Sequence, residues 1–154
     1  MVRWLLPSIW SLIFLLPFSM KGQMVNIRLE PFAKVHSVTL QSMSDKMVVT
    51  SEDSFPVIHF RLNTLDQLQL YNHEDGVRVE RNGSILGVFP QLLFWANDGA
   101  PRFKLLSSRR GESARTYPGH LMVRPGPRGL ILINQVHLED YVRCVIHAEA
   151  GHHK

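Results

Sequence analysis

Four residues near the end of the chain have side chains that could do chemistry: His147, Glu149, His152 and His153. The segment His147-Ala148-Glu149 has the H-x-E form of zinc deaminases, but those enzymes also need a P-C-x-x-C segment, and this chain has one cysteine, Cys144. Glu149 and His152 have the Glu-x-x-His spacing of di-iron sites in helix bundles, which take further carboxylates from other helices. The sequence predicts no such helices. We therefore expect no metal and no cofactor here.

Nucleophile and phosphate-binding patterns are also missing. The sequence has no G-x-S-x-G, no glycine-rich phosphate loop and no cysteine beside an orienting acid. Cys144 has no partner for an internal disulfide, and a lone thiol on a helix is more often a small buried hydrophobe than a nucleophile. Four other histidines lie among predicted strands, where hydrogen-bonded surface or core histidines are the ordinary interpretation: His36, His59, His73 and His120.

Glu149 differs from these residues because of its phase in a predicted helix. That helix opens at about His137, and its expected buried stripe is Leu138, Tyr141, Val142 and Val145. Glu149 lies 4, 7 and 11 residues after three members of the stripe, which are spacings that return to one helix face. Shielding from water raises the pKa of a carboxyl, as a general acid needs near neutral pH. The ordinary alternative is a helix-end glutamate that reaches solvent, because structural carboxylates far outnumber catalytic ones.

The ends of the helix carry weaker signals. Glu139 and Asp140 fall in its first turn, where carboxylates complement the positive end of the helix. Glu139 is four residues before Arg143 and can pair with it on the solvent face. Gly151 can end the helix as a C-cap.

The rest of the chain, from residue 25 to 134, reads as short strands separated by turn residues. The strongest hairpin signal is VRVE-RNGS-ILGV, because Asn82-Gly83 accepts the positive φ angles of a two-residue turn. The predicted fold class is therefore α+β, mostly β, with many short antiparallel strands followed by one C-terminal helix. A chain of 154 residues without repeats is expected to form one domain at most.

Composition and charge indicate an exported protein. Residues 1–22 combine a basic start with an apolar run of 17 residues, which is typical of a cleaved signal peptide; an uncleaved membrane anchor is the alternative. Residues 24–98 carry a net charge of −3 and residues 99–154 a net charge of +5. Such a basic region can attract nucleic acid, a membrane surface or an anionic polymer. Export makes nucleic acid the least expected partner, and contact with a membrane is expected only through an uncleaved leader.

The final part of the chain resembles a known family. Tyr117 and Gly119, then Leu138-Glu139-Asp140-Tyr141, then Val145-Ile146 and Glu149 fall in order on the pattern of the SpoIID/LytB domain, the stage II sporulation protein D and amidase-enhancer family. Together with the leader, the resemblance divides the chain into a signal peptide (1–22), a β-rich N-terminal region (23–115) and the start of a SpoIID/LytB-like domain (116–154). His137 replaces the family's proline. The family also continues past the glutamate with a further helix and groove-forming segments, so we expect this sequence to be a truncated form of the domain.

The resemblance implies a function in the bacterial cell wall. SpoIID-type members are peptidoglycan lytic transglycosylases, so Glu149 would cleave the bond between N-acetylmuramic acid and N-acetylglucosamine as a single acid and base. The implied partners are peptidoglycan glycan strands, and the implied location is the periplasm, the cell envelope or the exterior of a bacterium. The alternative is a non-enzymatic wall-binding module or an amidase enhancer, with a cell-wall amidase as a partner. A third possibility is a secreted β-rich domain whose motif match is accidental.

Overall fold

The structure is a computed structural model and describes residues 22–51, 57–96, 101–107 and 113–151, with side chains of the last helix described as far as His147. The described residues form strands, a short 3-10 helix at Glu30–Phe32 and an α-helix at the end. The strands are β1 (Met24–Arg28), β2 (Ser37–Ser42), β3 (Met47–Thr50), β4 (Ile58–Leu62), β5 (Gln67–His73), β6 (Gly76–Arg81), β7 (Ser84–Phe89), β8 (Leu92–Trp95), β9 (Arg102–Ser107), β10 (Arg115–Pro118), β11 (His120–Arg124) and β12 (Ile131–His137). The helix is α1 (Leu138–Gly151). The predicted fold class, α+β and mostly β with one C-terminal helix, is confirmed.

The strands form two antiparallel sheets of six strands each. The first sheet has the order β1-β12-β11-β8-β3-β4, and the second has the order β10-β9-β2-β5-β6-β7. Distant parts of the chain meet in both sheets: β1 pairs with β12, and β2 pairs with β9. The predicted boundary between residues 115 and 116 falls within β10, and strands from both sides of that boundary share the sheets.

One hydrophobic core lies between the two sheets. Alternate residues of the strands point into it, for example Val38 and Leu40 in β2 and Phe103 and Leu105 in β9. The first sheet contributes side chains such as Phe94, which is 0% exposed. Each fully buried aliphatic or aromatic side chain stabilises the fold by about 1.5 to 3 kcal/mol. The described chain is therefore a β-sandwich whose two sheets bury their inner faces against each other.

The predicted hairpin is confirmed as β6 and β7. Arg81 pairs with Ser84, so Asn82 and Gly83 are the two turn residues. Their φ angles are 52° and 80°, the left-handed values that a tight turn of this kind requires at both central positions. The sequence thus predicted the turn residues as well as the two strands.

The chain crosses from one sheet to the other at Gly119. This residue separates β10, in the second sheet, from β11, in the first. Its φ is +95°, and a Cβ atom there would lie 2.3 Å from the backbone oxygen of Gln135. Its N–H donates a 2.7 Å hydrogen bond to the carbonyl oxygen of Pro101. Only glycine fits both the angle and the close approach.

The sequence analysis did not predict β10 or the 3-10 helix. Strand β10 has four residues, ends in Pro118 and lies at the edge of its sheet, where a missing N–H is tolerated. Its first two residues, Arg115 and Thr116, are exposed, so the apolar alternation that reveals the longer strands is absent. The 3-10 helix contributes Phe32, which is 1% exposed, to the core.

Asn72 of β5 forms two hydrogen bonds with the loop between β11 and β12. Its Nδ2 donates to the carbonyl oxygen of Gly126 at 3.0 Å, and its Oδ1 accepts from the N–H of Gly126 at 3.1 Å. Both polar atoms of the amide are therefore satisfied by one peptide segment.

The proposed leader, residues 1–22, lies outside the described residues except for Gly22. In the described part of the chain, we find no helix with the length and apolar character needed to cross a membrane.

Candidate functional site

The predicted helix exists and begins one residue later than expected. Helix α1 starts at Leu138, directly after β12, and the N–H of Leu138 donates to the carbonyl oxygen of Gln23 at 2.8 Å. The ion pair in its first turns joins Arg143 to Asp140 at 3.2 Å, so the predicted pairing of Arg143 with Glu139 was wrong. Asp140 lies three residues before Arg143 and Glu139 lies four residues before it, and both spacings place a carboxylate on the adjacent turn of the helix.

The apolar stripe of α1 is not buried, contrary to the sequence-based expectation. Leu138 is 37% exposed, Val142 is 44% exposed and Val145 is 40% exposed. The periodicity of a sequence shows which residues share a helix face, but it does not show whether another element covers that face. Because α1 leaves the end of β12, the described sandwich covers only part of its circumference.

Position 149 is part of α1 and keeps the helical phase of Leu138, Val142 and Val145. The side chain of Glu149, the predicted acid and base, lies outside the described residues. His152 and His153 lie outside them as well. The structure therefore describes the backbone at position 149 and the side chains of α1 as far as His147.

A shallow, open depression of about 500 Å³ lies along the exposed side of the helix. It is lined by Leu138, Glu139, Val142, Arg143, Ile146 and His147. The lining residues come from successive turns of the same helix, and the surface that they expose is mostly apolar. This surface could receive a large ligand that lies along the helix axis, since no described strand crosses it.

A second cavity, of about 230 Å³, lies between α1 and the end of the sandwich. Its wall is apolar and includes Ile27 and Leu29 from the start of the chain and Val136 from β12. Tyr141 and Cys144 of α1 line it on the helix side. Cys144 is exposed, so the prediction of a buried thiol was wrong. The reason is the same as for the stripe: the helix lies at the end of the sandwich rather than within it.

Tyr117 of β10 forms a rigid part of this cavity wall. Its ring stacks on Phe103 with centroids 5.7 Å apart and meets Phe32 edge to face at 6.4 Å. Burial raises the pKa of the Tyr117 hydroxyl, and this effect exceeds the opposing effects of the charge and hydrogen bond of Arg115. At neutral pH the phenol is therefore uncharged.

Asn134 of β12 is a buried polar residue in the largely apolar wall of this second cavity. It is 4% exposed, and its Oδ1 has no hydrogen-bond partner among the described residues. Alternation along β12 places it on the same inner face as Leu132 and Val136. The sequence analysis missed this residue, although that alternation in ILINQV is a signal that could have found it.

His120 of β11 is a half-buried polar side chain. Burial lowers its pKa, and the nearby charge of His137 lowers it further. Its Nδ1 is buried without a hydrogen-bond partner among the described residues, so at this atom the structure departs from the expectation of a hydrogen-bonded histidine. His120 is therefore neutral at pH 7.

Other polar groups on the described surface have ordinary local explanations. His73, Glu74 and Asp75 lie close enough to hold a metal ion, but His73 Nδ1 already accepts a 3.2 Å hydrogen bond from the N–H of Asp75 in this exposed turn. Arg102 and Lys104 lie on the outer side of β9, opposite the buried Phe103 and Leu105. The positive charge of the second half of the chain thus partly covers the outer face of the second sheet.

We compared the chain with models of known protein families, with curated proteins and with solved structures. None of the three comparisons gave a match. The resemblance to the SpoIID/LytB pattern thus depends on the residues from Tyr117 to Glu149 alone.

Proposed function

We propose that this chain acts on bacterial peptidoglycan as a lytic transglycosylase, with Glu149 as its acid and base. The observation that carries the proposal is the geometry of α1. The segment Leu138-Glu139-Asp140-Tyr141 opens the helix, and position 149 belongs to the same uninterrupted helix. The face that shares its phase is open to solvent, so a polymer can reach it, and the described residues do not supply the shielding that was expected to raise the pKa of Glu149.

The proposed reaction needs one carboxyl group. Protonated Glu149 donates its proton to the glycosidic oxygen between N-acetylmuramic acid and N-acetylglucosamine, and the bond from that oxygen to the anomeric carbon breaks. The resulting carboxylate then takes the proton of the muramic acid C6 hydroxyl, whose oxygen bonds to the anomeric carbon. The product is a 1,6-anhydro ring, the carboxyl is protonated again, and no water is consumed. The second carboxylate of ordinary glycosidases is therefore not required.

The open depression along α1 supports a polymeric substrate. Its volume of about 500 Å³ and its mostly apolar lining suit the apolar C–H face of a sugar ring. Arg143, which also pairs with Asp140, lines this surface and can meet the carboxylates of peptidoglycan. The proposal also includes export, directed by residues 1–22, because peptidoglycan lies outside the cytoplasmic membrane.

The test is digestion of purified peptidoglycan with the full chain and two variants. Glu149→Gln removes the proton donor while keeping the size of the side chain, and we expect the release of anhydro-muropeptides to fall about 100-fold or more. Glu74→Gln, in the exposed turn after β5, is the matched control, because it removes the same charge and should retain full release. Mass spectrometry of the soluble products measures both. Equal release by the wild type and Glu149→Gln would contradict the assignment of the acid.

A non-enzymatic wall-binding module or amidase enhancer is the second candidate. It is favoured by the apolar surface of α1, where Ile146 is 60% exposed, because contiguous exposed apolar residues are typical of interaction sites. In the same assay this candidate predicts no anhydro-muropeptides from the chain alone. It predicts instead that the chain sediments with insoluble peptidoglycan and raises the rate of an added cell-wall amidase. Glu149→Gln should leave both effects unchanged.

A further inference from the structure

We propose that strand β7 (Ser84–Phe89) is the surface through which two copies of this chain associate, each copy adding its β7 to the edge of the other's second sheet. The second copy pairs antiparallel with β7, so that the two second sheets become one continuous sheet. This surface shares no residue with the depression along α1. The inference therefore goes beyond the proposed function and does not depend on it.

Strand β7 is an end strand of its sheet. It pairs with β6 on one side, and no described strand pairs with it on the other. Alternate residues of such a strand turn their N–H and C=O groups away from the neighbouring strand, and only another extended segment can pair with the whole row. The end of β7 is held in place, because the ring of Phe89 packs on the ring of His59 in β4 with centroids 4.5 Å apart. The open row on β7 therefore fits a strand rather than a helix or a small molecule.

The residues of β7 give this edge little protection against pairing. End strands of soluble proteins commonly carry a charged side chain or a proline that discourages a second chain. The other end strands of the two sheets carry such residues, namely Arg28 in β1, Arg61 in β4, and Arg115 and Pro118 in β10. Strand β7, with the sequence SILGVF, has neither a charged residue nor a proline.

Exposed apolar side chains run along β7. Ile85 is 64% exposed, Leu86 is 43% exposed and Val88 is 40% exposed. Ile85 lies opposite Glu80 of β6, and Val88 lies opposite Arg78, on the outer face of the sheet. The register with β6 shifts at Leu86, which is the extra residue of a bulge. Because the bulge limits regular pairing to a few residues, we expect micromolar rather than nanomolar association.

The charges beside β7 favour a second copy over a partner of opposite charge. The charged residues of β6 are Arg78, Glu80 and Arg81. Arg78 pairs with Glu80 at 3.1 Å, and Arg81 pairs with Asp66 at 2.9 Å. Strands β6 and β7 therefore offer no unpaired charge to an acidic or basic partner. Two copies that meet at this edge bring no uncompensated like charges against each other.

The sequence of β7 is also complementary to itself. Association of two copies about a two-fold axis makes their β7 strands antiparallel. An axis through Gly87 places Leu86 of one copy opposite Val88 of the other. An axis half a residue earlier places Ile85 opposite Val88. Both arrangements bring apolar side chains together across the strands, and such pairs stabilise an antiparallel sheet.

Hydrogen exchange at two protein concentrations tests the proposal on the full chain. Amides of residues 84–89 should exchange about threefold more slowly at about 100 µM than at about 1 µM protein, because mass action favours the dimer. Val88→Lys places a charge on the edge and should abolish this difference. Leu65→Lys is the matched control and should retain it, since Leu65 is 61% exposed and lies between β4 and β5. Exchange reports where the contact lies, so association through another segment would not imitate the result.

A thermal unfolding curve shows whether Val88→Lys is folded. If it is not, Ile85→Lys, at the more exposed position, takes its place. The proposal is overturned if exchange at residues 84–89 does not depend on concentration, if the protection lies in α1 instead, or if the folded lysine variant of β7 keeps it. None of these results depends on peptidoglycan cleavage, so the two proposals can fail separately.

Discussion

Two asparagines of this chain should respond in opposite directions to the same substitution. Asn134 is 4% exposed, and its Oδ1 has no hydrogen-bond partner among the described residues. Asn72, in contrast, has both amide atoms bonded to Gly126. Asn134→Leu should therefore raise the free energy of unfolding, and Asn72→Leu should lower it. The pair tests directly whether the buried acceptor of Asn134 is unsatisfied.

The expected magnitudes follow from the hydrogen bonds. Leaving a buried acceptor unpaired costs about 1 to 3 kcal/mol, and the change of shape from an amide to an isobutyl group costs less than about 1.5 kcal/mol. We expect Asn134→Leu to stabilise the fold by about 1 to 2 kcal/mol. At Asn72, two hydrogen bonds at 3.0 and 3.1 Å contribute about 1 kcal/mol each. We expect Asn72→Leu to destabilise the fold by about 2 kcal/mol.

Urea denaturation followed by tryptophan fluorescence measures both changes, and thermal unfolding should show shifts of about 3 °C for each kcal/mol. The double variant should give the sum of the two effects if the sites are independent. If Asn134→Leu destabilised the fold as much as Asn72→Leu, Asn134 Oδ1 would have a hydrogen-bond partner in the folded protein.

Three further predictions concern the backbone, the pH dependence and the helix. Gly119→Ala should destabilise the fold by about 2 to 4 kcal/mol, because its Cβ would lie 2.3 Å from the backbone oxygen of Gln135. Gly83 has a similar φ angle, but a Cβ there would have no atom within 4 Å. Gly83→Ala should therefore cost only about 1 kcal/mol in the same urea titration. The pKa of His120 in the folded protein lies below its usual value of 6.5, so the unfolded state takes up the proton first as the pH falls. The free energy of unfolding should be highest above about pH 6.5 and should decrease as the pH falls to the folded pKa. Unfolding curves of His120→Gln should lack the part of this decrease that comes from His120. Ile146→Ser should change the free energy of unfolding by less than about 0.5 kcal/mol, because Ile146 is 60% exposed. Leu132→Ala, at a residue that is 2% exposed, should cost about 2 to 5 kcal/mol. A large loss for Ile146→Ser would show that the face of α1 that carries Ile146 is covered in the folded protein.

The strands and the final helix could be predicted because their signals are local. Val38 and Leu40 alternate with polar residues, and Asn82-Gly83 has the turn chemistry that its φ angles require. Strand β10 gave no such signal, because its residues from Arg115 to Pro118 are held by their partner β9 rather than by their own pattern. An edge strand with one well-buried neighbour needs little apolar alternation of its own.

The site was less predictable because it depends on what covers each surface. Helical phase correctly groups Leu138, Val142 and Val145 on one face. Their exposure depends on the distance between α1 and the sandwich, and the sequence pattern of the helix does not indicate that distance. The cavity beside Tyr117 and Asn134 joins residues from three separate parts of the chain. The role of Glu149 stays a prediction, since it follows from the motif and from the helix that contains it.

The pairing of β1 with β12 has a consequence for synthesis of the chain. The two strands are more than 100 residues apart in sequence, so the ribosome releases β1 long before its only partner in the described sheets exists. During that time the segment that contains Ile27 and Leu29 has no β12 to pair with, and contacts between residues so far apart in sequence form slowly. A nascent chain of this kind is a natural client for a chaperone that holds extended, apolar segments until translation ends.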